Sequence, residues 1–192
     1  MILFFDTETS GMYQWKLDNN HVDQPHLMQI AAILADDSGK IITQFSSLVK
    51  PMMKYRVDPE AENVHGLTWD MCNKQGIESE RVMELFVDMC KKSDLIVAHN
   101  MNFDYLIIKS FLSRLFVADI IDEMKKFCTM AATTNILKLP GKFEGKYKWT
   151  KLDECYRFFF AEELTNAHDA MSDVMACKRV FFHLANHYDI CI

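Results

Sequence analysis

Hydrophobic residues fall along this chain first in short runs and then in helical periods. Residues 2–5 are apolar at every position and rich in strand formers, the pattern of a strand covered on both faces. A second apolar run, 27–35, ends at Asp36-Asp37-Ser38-Gly39-Lys40, a strong turn signal, and 41–49 follows it as the other arm of a hairpin closed by Pro51. Three strands are therefore expected at the start, the first two joined by a polar and aromatic loop over about 11–26. That connection is long, and long loops are often functional.

The period then changes. Pro59 suits the first turn of a short helix ending at Gly66, and Thr68 suits the cap of the next. Residues 78–92 carry Val82, Leu85, Phe86, Met89 and Cys90 at i, i+3, i+4, i+7 and i+8, an amphipathic helix. A short buried strand is expected at 95–98. After it comes a helix capped by Asn102 with Phe103, Leu106, Ile107, Phe111 and Leu115 on its apolar side. A last strand is expected at 127–130, then a Gly- and Lys-containing loop at 140–148. A helix at 151–160 follows, and a final helix at about 170–187 faces the core with Val174, Cys177, Phe181 and Leu184. A meander followed by alternating helices and strands implies an α/β fold with a mixed central sheet. No repeat or linker divides the chain, so residues 1–192 read as one domain.

Composition changes this picture little. With 192 residues, 49% hydrophobic and 25% charged, the chain can bury a core and is not disordered as a whole. The net charge of −6 argues against a protein that coats nucleic acid along its backbone, since phosphate neutralisation drives such binding. It leaves room for an enzyme that grips a few terminal nucleotides. The six cysteines form no C-x-x-C pair and sit mostly among apolar residues. They read as free thiols in a reducing, intracellular compartment, cytoplasmic or otherwise, and not as zinc ligands. No signal peptide or membrane-spanning run is evident.

The candidate chemistry lies in carboxylates placed where apolar strands end. Asp6 and Glu8, two positions apart on an extended chain, point the same way. Asp104 follows the strand at 95–98, and Asp173 lies in the first turns of the last helix. Such a cluster at the carboxyl edge of a sheet needs cations, and hard oxygen ligands suit Mg²⁺ or Mn²⁺. Two such ions could clamp the attacking and leaving oxygens of a phosphoryl displacement. No Gly-rich phosphate loop of the nucleotide-hydrolase type is present. Each piece alone has a plainer reading. Asp6-Thr7-Glu8 reads as a solvated strand end, His99 as a hydrogen-bonded structural histidine, Asp104 and Asp173 as partners of helix dipoles, and His168 as a helix-start residue.

The combination resembles the DEDDh branch of the DnaQ-like 3′–5′ exonuclease superfamily, which has an RNase H-like fold. Its first motif appears as Phe4-Phe5-Asp6-Thr7-Glu8-Thr9-Ser10-Gly11, its second as Ala98-His99-Asn100-Met101-Asn102-Phe103-Asp104, and its third as His168-Asp169-Ala170-Met171-Ser172-Asp173. Asn63-Val64-His65-Gly66-Leu67-Thr68 and Lys151-Leu152-Asp153-Glu154-Cys155 are similar to two further segments of that family. The resemblance implies that Asp6, Glu8, Asp104 and Asp173 hold two Mg²⁺ (or Mn²⁺) ions and that His168 is the general base. It also implies that Thr9, Met12, Val64, His65 and Phe103 contact the 3′-terminal nucleotide, although core packing is an equal reading for Val64 and Phe103. Two departures stand out. The loop after Gly11 is longer than usual, so Trp15 and His21 could touch substrate or partner or simply cover the sheet. Cys128-Thr129 replaces the family's common Asp-Thr pair.

The expected activity is hydrolysis of single-stranded or frayed 3′ ends of nucleic acid to nucleoside 5′-monophosphates, with DNA favoured over RNA and with proofreading or trimming as its use. Any polymerase is then a separate partner. RNA 3′-end processing by the same chemistry is the nearest alternative. A non-catalytic nucleic-acid- or polymerase-binding module and an RNase H-like endonuclease are readings of other classes.

Overall fold

Alternation along the first strand decides which layer of the molecule each of its side chains serves. In the computed structural model residues 1–165, 169–188 and 190 are described. Strand β1 is Ile2–Thr9. Leu3 and Phe5 point into one apolar cluster with Phe86, Ile107 and Phe111. Phe4 points into the opposite cluster with Val174, Cys177 and Phe181. Phe4 meets Phe181 edge-on at 5.3 Å between centroids, and Phe5 meets Phe86 at 5.2 Å. All of Leu3, Phe4 and Phe5 are fully buried, each worth roughly 1.5–3 kcal/mol of hydrophobic stabilisation.

Around β1 the sheet is mixed, in the order β3-β2-β1-β4-β5. Strands β2 (Leu27–Ala35) and β3 (Ile41–Leu48) complete the antiparallel meander. Strands β4 (Leu95–Ala98) and β5 (Lys125–Cys128) add in parallel on the other side of β1. Seven helices lie among the described residues: α1 (Pro59–His65), α2 (Trp69–Gln75), α3 (Ser79–Cys90), α4 (Met101–Arg114), α5 (Thr129–Leu137), α6 (Leu152–Phe160) and α7 (Ala170–His187). Helices α3 and α4 cover one face of the sheet and α7 covers the other. The expected mixed α/β architecture is therefore the observed one. No helix among the described residues is long and apolar enough to cross a membrane.

The helix signals act as the residue types require. Asp58 accepts from the Glu60 amide at 2.9 Å ahead of Pro59, and Gly66 ends α1 at φ 73°. Thr68 accepts from the Met71 amide at 3.1 Å. Asp169 caps α7 through the Ser172 amide at 3.1 Å.

Two expectations are corrected. Helix α4 starts two residues earlier than a cap at Asn102 implies. Asn100 is its cap and adopts the left-handed conformation, φ 74°. Asparagine tolerates that conformation, and a sharp reversal right after β4 needs it. The last strand ends at Cys128, and Thr129 and Met130 already belong to α5, which sequence patterning does not predict. Threonines disfavour helix interiors. Here they find local acceptors instead: Thr133 Oγ1 donates to the Thr129 carbonyl at 2.7 Å, and Thr134 Oγ1 donates to the Met130 carbonyl at 2.8 Å.

The long loop before β2 is ordered by one buried amide and one buried guanidinium. Gln24 donates to the Gln14 carbonyl and accepts from the Gln14 amide, both at 3.0 Å. Arg114, at the end of α4, donates to the carbonyls of Gln24 at 2.7 Å and Pro25 at 3.0 Å. The five described cysteines are all unpaired, four of them buried and Cys128 half-buried. Cys191 lies outside the described residues.

Candidate active site

The parallel pairing of β1 with β4 stops at Phe4↔Val97 and Ala98 ends β4, whereas β1 runs on to Thr9. Residues 6–9 thus project beyond their parallel neighbour, and the turn into α4 lies beside them. On this overhang the even positions continue the Phe4 face, towards α7. Asp6 and Glu8 meet Asp173 there, and carboxylate oxygens of the three lie within 4.8 Å of one another. Asp173 reaches the cluster because the Asp169 cap starts α7 in register with the strand end.

Asp104 arrives from the opposite layer. It is 3% exposed, in the first turns of α4. Its Oδ1 accepts from both the Thr7 amide (3.1 Å) and the Thr7 Oγ1 hydroxyl (2.7 Å). Thr7 is the odd residue between Asp6 and Glu8, so one tripeptide sends two carboxylates to one face and a clamp for the fourth carboxylate to the other. Asp6, Asp104, Glu8 and Asp173 line one cleft of about 600 Å³.

Electrostatics mark this cleft as a place for cations. Burial, then the charges of Asp104, Glu8 and Asp173, hold the Asp6 carboxyl well above the usual range. Burial and the neighbouring Asp173 and Asp104 push Glu8 up to about 8. Asp104 is pushed up to about 7 by burial, against the lowering effect of its bonds from Thr7. Among the described residues no lysine or arginine pairs with Asp6, Glu8 or Asp104. A set of crowded oxygen ligands lacking a counter-cation fits a hard divalent ion. Asp6, Glu8 and Asp173 could hold one directly, and Asp104 keeps Oδ2 free of its Thr7 bonds.

His99 lines the cleft but is committed elsewhere. Nε2 faces the Thr150 carbonyl at 3.0 Å and must donate, so Nδ1 accepts from Thr129 Oγ1 at 2.9 Å. Burial lowers its pKa to about 4, which suits this neutral form. His99 is thus the structural histidine that it resembled when read alone.

Met12 and Phe103 line the same cleft, Met12 being 68% exposed. Thr9, Val64 and His65 stand behind its lining. Thr9 is buried and donates to the Gly11 carbonyl at 2.7 Å. His65 accepts from the Leu67 amide through Nδ1 and therefore donates through Nε2 to the Thr9 carbonyl at 3.0 Å, tying α1 to the end of β1. Val64 is 52% exposed, which removes the core-packing reading for it. His168 lies outside the described residues. Sequence reasoning missed the role of Thr7. Strand alternation, with a donor between two acids, was the signal that could have found it.

Comparison with known proteins places this geometry. A family model described as RNase_T, exonuclease, matches residues 3–181. The DNA polymerase III subunit epsilon of Treponema pallidum (strain Nichols) is 25% identical over 186 residues, 96% of this chain and 76% of that protein. The PolC-type DNA polymerase III of Thermotoga petrophila is 29% identical over 135 residues, 70% of this chain but 9% of that protein. Among solved structures, E. coli exonuclease I in complex with a dT13 oligonucleotide aligns with a TM-score of 0.73 at 21% identity, over 95% of this chain and 40% of that one. An exonuclease I from Methylocaldum szegediense aligns with a TM-score of 0.72 at 20% identity, over 97% of this chain and 40% of that one. These structural likenesses carry the fold, and the chain spans less than half the length of the exonuclease I chains. A strand-end acid cluster on this fold, together with a family match over nearly the whole chain, makes the protein a member of the RNase T exonuclease family, within the DnaQ-like superfamily of 3′–5′ exonucleases.

Proposed function

We propose that the protein hydrolyses single-stranded or frayed 3′ ends of DNA, releasing nucleoside 5′-monophosphates, with Asp6, Glu8, Asp104 and Asp173 holding two Mg²⁺ or Mn²⁺ ions and His168 acting as general base. The observation that carries this reading is the convergence of Asp6, Glu8 and Asp173 within 4.8 Å, beside an Asp104 fixed by Thr7. Bound divalent ions supply charge stabilisation for an in-line displacement at phosphorus. The chain's own groups do the rest. Asp6 and Glu8 face α7 from a rigid strand, so their oxygens need little reorganisation when cations enter. His168 takes the proton of the attacking water; its ordinary pKa of about 6.5 suits that near neutral pH. The water oxygen bonds to phosphorus, the bond from phosphorus to the 3′ oxygen of the preceding nucleotide breaks, and that oxygen leaves as a new 3′ hydroxyl. Met12 and Phe103, on the cleft wall, flank the terminal base. Thr9, His65 and Val64 support that wall from behind.

The preference for DNA rests on the names of the relatives, a DNA polymerase III subunit and a nuclease bound to dT13. The same relationship supports a separate polymerase as partner and proofreading as the use. The unpaired thiols support a reducing, intracellular setting.

The test is incubation of 5′-labelled DNA and RNA strands with Mg²⁺. A ladder shortening from the 3′ end with mononucleotide release is expected on DNA, and circular single strands stay intact. Asp6→Ala abolishes turnover while binding to ends persists. Faster digestion of RNA reverses the sugar assignment, and no release from either polymer overturns the reading.

A further inference from the structure

A second cavity of about 650 Å³ adjoins the acid cleft, sharing Asn100, Met130 and Trp149 with it. Its chemistry is the opposite of its neighbour's. Five carboxylates line the cleft: Asp6, Glu8, Asp104, Asp153 and Asp173. None lines the second cavity, whose charged residue is Lys126. In an acidic protein that is a local reversal of sign. Lys126 Nζ donates to the Asp122 and Met124 carbonyls at 2.7 and 3.2 Å and lies 4.9 Å from the Tyr105 ring centre. Neutral oxygens hold it, so its charge stays available.

Two tryptophans stand at this cavity, each 64% exposed. They come from loops far apart in sequence. Trp15 belongs to the long loop before β2 and is braced edge-on against buried Tyr13 at 5.2 Å. Trp149 precedes Thr150, whose carbonyl accepts from His99 and whose hydroxyl pairs with Thr133 at 2.7 Å. Fixed, solvent-exposed indoles around one cavity leave a large apolar area in water, an arrangement that points to a ligand.

We infer that this cavity is the binding site for the nucleotide immediately 5′ to the one being released, its base stacking on Trp15 and Trp149 and its phosphate lying towards Lys126. This rests on the reading of the acid cleft as the site of 3′-end hydrolysis. Three observations choose a nucleotide as occupant. The cavity is continuous with the cleft that takes the scissile phosphate. Its charge favours a polyanion where the cleft, without its cations, repels one. Exposed indoles bind any base through its π face, without a sequence requirement. The size lies within the usual range for small-ligand sites, roughly 300–1,000 Å³.

The test compares two substrates on the full chain with Mg²⁺: the p-nitrophenyl ester of thymidine 5′-monophosphate, which has one nucleoside and reaches only the cleft, and an oligothymidylate. Trp15 lines the second cavity but not the cleft. Trp15→Ala is expected to raise KM for the oligonucleotide roughly 5- to 150-fold more than for the ester, the scale of one base stack. Trp15→Phe restores most of the loss. Lys126→Gln lowers the slope of log KM against log salt by roughly 0.7 on the oligonucleotide. Equal effects of Trp15→Ala on both substrates, or none on either, overturn the subsite, the latter in favour of a surface for a protein partner. Wild-type protein that cleaves neither substrate overturns the hydrolytic reading itself, so the two failures are distinct.

Discussion

Thr7 gives both of its hydrogen-bond donors to a single oxygen of Asp104, the amide at 3.1 Å and the hydroxyl at 2.7 Å. The pair joins β1 to α4, and it fixes a carboxylate that burial would otherwise push further from ionisation. Groups that orient a metal ligand typically contribute 10- to 100-fold to affinity. Thr7→Val keeps the shape of the side chain and removes the hydroxyl. Calorimetric titration with Mn²⁺ should show affinity weaker by about one order of magnitude, with Thr7→Ser close to wild type. Equal affinity in Thr7→Val would show that the amide alone suffices.

The acid cluster makes stability depend on pH and on metal in a defined direction. Glu8 at about 8 and Asp104 at about 7 bind protons in the folded chain at pH values where the unfolded chain has released them. Their favourable contribution is therefore full below the ordinary carboxylate range and is lost as pH rises through 7–8. Two histidines act the opposite way. His99 and His26, both held neutral near a pKa of about 4 by burial, contribute fully above pH 6.5 and lose that contribution as pH falls towards 4. Between pH 6.5 and 8 the carboxylates act alone. In EDTA the melting temperature should fall across that window. Mg²⁺ should reverse the fall, giving a larger thermal shift at pH 8 than at pH 6.5. A metal-induced shift that is flat with pH would count against cation binding by these groups.

His99 bridges β4, the start of α5 and the loop before α6. His99→Ala leaves a buried hydroxyl and carbonyl without that partner, at a cost of about 1–3 kcal/mol. Urea unfolding at pH 7 should detect it. The loss should shrink at pH 5, where the wild-type imidazole is itself under pressure to protonate and surrender its bond from Thr129.

Arg114 is buried without a carboxylate partner among its printed bonds, and its guanidinium holds the carbonyls that lead into β2. Arg114→Met should leave the sheet intact while raising hydrogen exchange at residues 14–26. Because Trp15 is carried by that loop, KM on oligonucleotides should rise as well. Unchanged exchange would show that Gln24 alone orders the loop.

By itself the sequence determined the strand and helix order, the caps at Asp58, Thr68 and Asp169, and the spacing of the acidic motifs. These are local: alternation, a 3.6-residue period and capping chemistry act over a few residues and can be read from them. The start of α4 and the existence of α5 were not legible, because a left-handed Asn100 and back-bonded threonines run against simple propensity and are stabilised by tertiary contacts. For the acidic residues, order along the chain was visible but convergence was not. Only the fold brings Asp173 within 4.8 Å of Asp6 and Glu8 from a helix more than 160 residues away, and only the fold turns Thr7 towards Asp104. The same holds for Trp15 and Trp149, whose loops share a cavity because the sheet places both at the open end of β1. Long-range placement of this kind depends on how whole layers pack, which no local pattern encodes.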